Sequence, residues 1–283
     1  MGSIAIEIFG KKLRNPVMNA SGTLGYGREI ERLWSIKVLG AFVTKGLSIL
    51  PCQGNPQPRI FDLGCGMLNS IGLQNIGIKR YLEEYTEFFL ERKTPVVVNI
   101  FGFTEEEYIE CALAIGDNPV VLAIEVNLSC PNVKTGGILF GKKPETVFRI
   151  IRGVKSATNF PVIAKLSQEV TDIVELAKAA FEAGADGLTL INTIPGVVLE
   201  ENRVIRGGLS GPFLKSIALK AVYDCSKAVP IPIIGVGGIM NTEDVISFLR
   251  AGAKAVQIGT ATFVYPNTIP KIVKELKKRR SFD

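Results

Sequence analysis

Histidine is missing altogether: the 283-residue chain contains none. That removes Ser–His and Cys–His catalysis and every histidine-ligated metal centre. Proton transfer near neutral pH is left to cysteine, lysine, tyrosine or a carboxylate. Paired cysteines are missing too. Cys52, Cys65, Cys111, Cys130 and Cys225 stand apart, none in a C-x-x-C pair, so no zinc, iron–sulfur or other metal site is expected within the chain. An odd, scattered set reads as reduced thiols of a cytoplasmic protein. No stretch reaches about 18 uninterrupted apolar residues, so no membrane span is expected. The opening MGSIAIEIFGKKLRNPV lacks the basic start, apolar run and small-residue cleavage site of a secretory leader. Disorder is excluded by 47% hydrophobic against 21% charged residues. A groove for nucleic acid is not expected either. The net charge of +6 is concentrated in KIVKELKKRR (271–280), and the rest of the chain is nearly balanced.

What the chain does have is a regular alternation. Short, β-branched apolar runs predict strands near 16–20, 41–45, 96–100, 123–128, 162–167, 188–192, 232–236 and 255–259. They are apolar throughout, as parallel strands buried on both faces should be. Helical patterns fit between them at about 28–36, 75–92, 104–116, 144–157, 171–183, 212–227, 242–251 and 266–280, with Thr104, Thr171 and Thr242 as candidate N-caps. FEAGADGLTLI (181–191) echoes LRAGAKAVQIG (249–259): a helix end, a glycine stop, then a strand. Eight such units in this length predict a single (β/α)₈ TIM barrel, in preference to a doubly wound sheet. The segment IAIEIFGKKLRN (4–15) predicts a short N-terminal β-hairpin capping its bottom. No linker-like shift in composition divides the chain, so residues 1–283 are read as one domain.

In such a barrel the chemistry belongs at the C-terminal strand ends. Those ends carry Asn19, Ser21, Lys45, Asn99, Asn127, Lys165, Asn192, Thr193, Gly237, Gly238, Gly259 and Thr260. A single Asn after a strand is usually a turn former. Several amides and two lysines on one rim suit a planar heterocycle whose edge alternates C=O and N–H, together with an anion. The glycine turns GVGG and GTA after strands 7 and 8 suit a phosphate, since bare backbone can approach its oxygens. Two βα loops are oversized, 46–74 and 129–141. The second carries Cys130 in an SCPN setting, next to Asn127 and Asn132. There it reads as a reactive thiol, while Cys111 and Cys225, in helical patterns, read as core.

These residues resemble a known family. NASGTLGYG (19–27), TKG (44–46), GNPQPRI (54–60), MLNSIGLQN (67–75), VNIFG (98–102), EVNLSCPNVKTGG (125–137), AKLS (164–167), INT (191–193), GGLSGP (207–212), GVGGI (235–239) and QIGTA (257–261) are similar, in order, to the dihydroorotate dehydrogenases of pyrimidine biosynthesis. The Cys in NLSCPN resembles the soluble class 1 enzymes. CPNVKTGG and GGLSGP resemble class 1B, whose FMN-bearing catalytic subunit passes electrons to NAD⁺ through a partner carrying FAD and a [2Fe–2S] cluster. The resemblance implies Cys130 as general base. It implies FMN held by Ser21, Lys45, Gly46, Asn99, Asn127, Lys165, Ile191, Gly211, Gly237, Gly238, Gly259 and Thr260. It implies the pyrimidine held by Lys45, Asn69, Ser70, Ile71, Gly72, Leu73, Asn127, Asn192 and Thr193. It further implies a homodimeric core in a heterotetramer of two catalytic and two electron-transfer chains. Gly46 stands where the family commonly has a hydroxyl residue, so only a backbone contact is available there, and the 194–206 segment is short for class 1B. The nearest rival is a class 1A homodimer using fumarate. A rival of another class is a Schiff-base lyase with Lys165 as nucleophile.

Overall fold

The computed structural model describes residues 4–129, 131–132, 138–200 and 202–279. Its central sheet has eight parallel strands: β1 (Val17–Asn19), β2 (Phe42–Val43), β3 (Val96–Ile100), β4 (Val121–Asn127), β5 (Val162–Leu166), β6 (Gly187–Leu190), β7 (Ile233–Val236) and β8 (Ala255–Ile258). The spatial order is β1-β8-β7-β6-β5-β4-β3-β2. A parallel bridge from Met18 to Ala41 brings the two ends together, and the Gly40 N–H donates to the Val17 carbonyl at 2.8 Å. The eight expected strands are the eight observed, and the ring excludes the doubly wound alternative.

Around the barrel lie α1 (Ile78–Arg92), α2 (Glu105–Ile115), α3 (Pro144–Ser156), α4 (Ile173–Glu182), α5 (Lys215–Ala228), α6 (Thr242–Arg250), α7 (Ala261–Val264) and α8 (Thr268–Lys278). The helix expected at 28–36 is instead two single 3₁₀ turns, Ile30–Arg32 and Ile36–Val38. Ser35 is extended between them, and the Glu31 carboxylate accepts from both Ser35 Oγ (3.0 Å) and the Ile36 N–H (2.8 Å), which stops the first turn. Thr104 caps α2 as expected. Thr171 and Thr242 do not cap: Asp172 accepts from the Val174 N–H and Asn241 from the Asp244 N–H, each one residue off the expected position. Asp and Asn are at least as good at this as Thr, and Thr242 is spent on Glu275.

The N-terminal hairpin is present, Ile6–Ile8 paired antiparallel with Lys11–Leu13. Its Ile8 and Leu13 pack on Met18, Ala41, Val43, Val97, Ala123, Ile163, Ile234 and Ala255, an apolar layer inside the lower barrel. Neither oversized stretch is plain loop: in 129–141, Pro131–Asn132 pairs antiparallel with Ile138–Leu139, with 130 and 133–137 outside the described residues, and 46–74 contributes two strands to a second sheet. Ile194–Glu200 and Arg203–Ser210 form a hairpin that pairs with Met67–Asn69, which pairs with Ile60–Asp62, in one antiparallel sheet. Among the described residues no helix is long and apolar enough to cross a membrane.

Candidate active site

Strand alternation builds the site. Successive side chains point to opposite faces, so two residues above each apolar member of the lower layer another side chain faces inward. Val97 is followed by Asn99, Ala123 by Glu125, Ile163 by Lys165 and Ala255 by Gln257. The barrel interior therefore turns from apolar to polar within one rung.

Glu125 is the centre of that rung and is fully buried. One carboxylate oxygen accepts from Asn99 Nδ2 (2.7 Å) and Lys165 Nζ (3.3 Å). The other accepts from Thr189 Oγ1 (2.7 Å) and Gln257 Nε2 (2.6 Å). Burial pushes its pKa up, but the Lys165 charge and the three neutral donors outweigh burial and hold it below the usual carboxylate value. Lys165 also donates to Ser21 Oγ at 3.1 Å.

Above this rung lies a cavity of about 490 Å³, a size usual for small-molecule sites. It is lined by Ser21, Lys45, Gly46, Asn69, Ser70, Ile71, Gly72, Leu73, Asn99, Asn127, Lys165, Ile191, Asn192, Thr193, Gly237, Gly238, Gly259 and Thr260. The expected cofactor and substrate positions thus meet in one space, with Gly211 apart from it. Gly211 does not line the cavity. Its φ is +142°, and a Cβ there would stand 2.6 Å from the Gly66 backbone, so this glycine serves the close approach of two chain segments. Cys130 lies outside the described residues. Its neighbour Ser129 lines the cavity and accepts from Asn192 Nδ2 at 2.9 Å. Asn192 Nδ2 also donates to Asn127 Oδ1 at 3.0 Å, tying the ends of β4 and β6 together. Asn19, on the rim by sequence, is a structural residue: it is buried and bonds the Val43 backbone through both ends of its amide.

Lys45 stands at the mouth. Burial, then the nearby Arg59 charge, pull its pKa below the usual lysine value against a weaker opposing effect of Glu29. Arg59 Nη1 (2.7 Å) and Lys45 Nζ (3.5 Å) share one neutral acceptor, Gln74 Oε1. Two cations on one amide oxygen leave a positive field that suits an anion. The antiparallel sheet roofs the cavity: Asn69 Nδ2 donates to the Gly208 carbonyl (3.0 Å) and Ser70 Oγ to the Arg206 carbonyl (2.9 Å).

Sequence reasoning passed over Glu125, Thr189 and Gln257, and also the cavity residues Gln74 and Asn55. The signal for Glu125 was its place as the one carboxylate inside an otherwise apolar strand. Cys111 and Cys225 are buried as expected, and each thiol is pushed up to about 12, chiefly by that burial.

The family model described as dihydroorotate dehydrogenase matches residues 3–279. The chain belongs to the dihydroorotate dehydrogenase family. Among its relatives is "Dihydroorotate dehydrogenase B (NAD(+)), catalytic subunit" of Geobacter sulfurreducens, 48% identical over 281 residues, 97% of this chain and 92% of that one. Proteins of the same name from Geobacter metallireducens, 49% identical over 281 residues, and Trichlorobacter lovleyi, 46% over 282, match over similar shares.

For a dihydroorotate dehydrogenase the implied cofactor is FMN, and the cavity suits it on three observations. Asn99 Oδ1 is buried without a partner and lies beside Gly46, where an added Cβ would stand 3.0 Å away. Lys165 brings a cation to the same wall. A Cβ on Gly259 would stand 3.3 Å from Ala20 Cβ and 3.6 Å from Thr23 Cγ2, so the bare glycine keeps open a slot at the cavity edge.

Proposed function

We propose that this chain, as a single flavin-binding domain over residues 1–283, oxidises (S)-dihydroorotate to orotate. It acts as the catalytic subunit of an NAD⁺-linked enzyme of pyrimidine synthesis. The observation that carries the reading is the joining of Lys45, Lys165 and the amides of Asn99, Asn127 and Asn192 around one cavity. When bound, FMN would supply the two-electron acceptor. The chain's own residues bind, orient and move a proton. In this reading Ser21, Gly46, Asn99, Lys165 and Ile191 hold the ring system, and Gly237, Gly238, Gly259 and Thr260 hold the phosphate. Lys45, Asn127, Asn192, Thr193 and the 69–73 segment hold the pyrimidine beside it, with Lys45 and Asn127 within reach of both. Fixing both rings in register supplies proximity, and Lys45 offsets the substrate's negative charge.

Cys130 takes the C5 proton of dihydroorotate as its thiolate. The family resemblance supports that role, and so does the position of Ser129 next to it in the chain. At an ordinary pKa of about 8.5, roughly 3% of such a thiol is ionised at pH 7. The Schiff-base reading is disfavoured by the ion pair: Lys165 lies 3.3 Å from a buried carboxylate, and the pair would have to part before the amine could attack. The relatives' name, "catalytic subunit", supports a partner chain, which we propose carries FAD and [2Fe–2S] in a two-plus-two assembly. The free thiols of Cys52, Cys65, Cys111 and Cys225 suit a cytoplasmic location.

The test is the visible spectrum of the purified chain under anaerobic conditions. Flavin bands that bleach on adding dihydroorotate are expected, and a colourless protein would sink the proposal. Cys130→Ser should keep its flavin and its orotate affinity but bleach about 10²-fold more slowly at pH 7. Unchanged bleaching would remove Cys130 from the chemistry.

A further inference from the structure

Glu125 touches no part of the cavity, yet two of the cavity's polar residues are oriented by it. Its side chain can only accept hydrogen bonds. Any amide that donates to it must therefore turn its own oxygen away. Both amides in the network do so: Asn99 Oδ1 and Gln257 Oε1 are buried and unpartnered. For Asn99 that oxygen lies beside Gly46, on the cavity wall. The same carboxylate oxygen that takes Asn99 Nδ2 takes Lys165 Nζ, and Ser21 Oγ takes another of the ammonium's protons. A neutral amide at position 125 could neither balance the lysine nor accept at both ends.

We propose that Glu125 is a positioning residue that sets the polarity of the cofactor end of the site. By its charge and its acceptor-only chemistry it presents the Asn99 carbonyl oxygen and the Lys165 ammonium side by side. Together they read the edge of a heterocycle in which an N–H lies near an electron-rich oxygen or nitrogen. A charge buried on the barrel axis is a weak device for stability alone. As a device for orientation it does what no apolar side chain can.

The inference rests on the FMN reading, and the test separates the two. Ligand-free protein is titrated with FMN, following quenching of flavin fluorescence, with thermal unfolding as the check on folding. Failure of the wild type to bind FMN overturns the function proposed above and this inference with it. With wild-type binding in hand, Glu125→Gln keeps the shape but loses the charge. It should weaken FMN binding about tenfold or more, the scale of one charge-assisted hydrogen bond, and shift the absorption maximum of the bound flavin. Thr189→Val removes a donor to the carboxylate oxygen that faces away from Asn99 and Lys165. It should lower the unfolding temperature yet leave FMN affinity within about threefold and the spectrum unmoved. Should Glu125→Gln fail to fold, Glu125→Asp keeps the charge but draws it back from both partners, and should still weaken binding by about threefold or more. Wild-type affinity in a folded Glu125 variant would overturn the inference. So would equal losses in Glu125→Gln and Thr189→Val, because the network would then be scaffold alone.

Discussion

Lys45 is a residue the ligand-free fold holds against its own stability. Its pKa is lowered on folding, by burial first and Arg59 second. The unfolded chain therefore holds this proton more tightly than the folded one. Its penalty is full below the folded pKa and fades as pH rises toward the ordinary lysine value of about 10.4. An anion bound at the mouth would reverse that balance. Lys45→Met is accordingly expected to raise the unfolding temperature of the ligand-free protein at neutral pH. The same change should weaken orotate binding about tenfold or more. Unfolding curves with and without orotate check both halves. A variant that loses stability while keeping orotate affinity would show Lys45 to be a packing residue rather than an anion receptor.

At the scale of elements, the glycine turns after β7 and β8 look alike in sequence but do different work. Gly238 sits at φ +73°, and a Cβ there would stand 2.5 Å from the Lys215 backbone nitrogen, so a side chain strains the fold before it meets any ligand. Gly259 has no such constraint, and its slot is bounded by the side chains of Ala20 and Thr23. Gly259→Val should therefore purify folded but with little flavin. Gly238→Val should lose stability whether or not flavin is present. Flavin content and unfolding temperature, measured on both variants, check this. Full flavin occupancy in Gly259→Val would move the phosphate elsewhere. The antiparallel roof explains why the sequence signal failed there. Ile60–Asp62 and Met67–Asn69 are three residues each; they pair with one another, and Met67–Asn69 joins the sheet through Arg203–Ser210, far along the chain. Partners that distant leave no local pattern to read.

For the whole molecule, the barrel was legible because buried parallel strands must be apolar on both faces, and eight such runs recur at regular intervals. The rim was legible because each run closes in a polar or glycine residue, and among the described residues all those placed in the site line the cavity except Gly211. The rung beneath the rim was not. Thr189 and Gln257 look like ordinary strand residues until ring closure brings four other strands within reach of Glu125. Ring closure also bears on electron transfer. One cavity of about 490 Å³ at the C-terminal face has to take a flavin and its substrate together, which leaves little room for a nicotinamide. No glycine-rich dinucleotide fingerprint follows the first strand. The chain alone is therefore expected to reduce its own flavin with dihydroorotate but to form NADH at a negligible rate. Adding a subunit that carries FAD and [2Fe–2S] should restore NADH formation, because electrons would leave through protein contact rather than through a second ligand in the barrel. Steady-state NADH formation by the chain, with and without that subunit, is the measurement. Rapid NADH formation by the chain alone would sink the two-subunit reading, and rapid turnover with fumarate alone would place electron transfer inside this cavity after all.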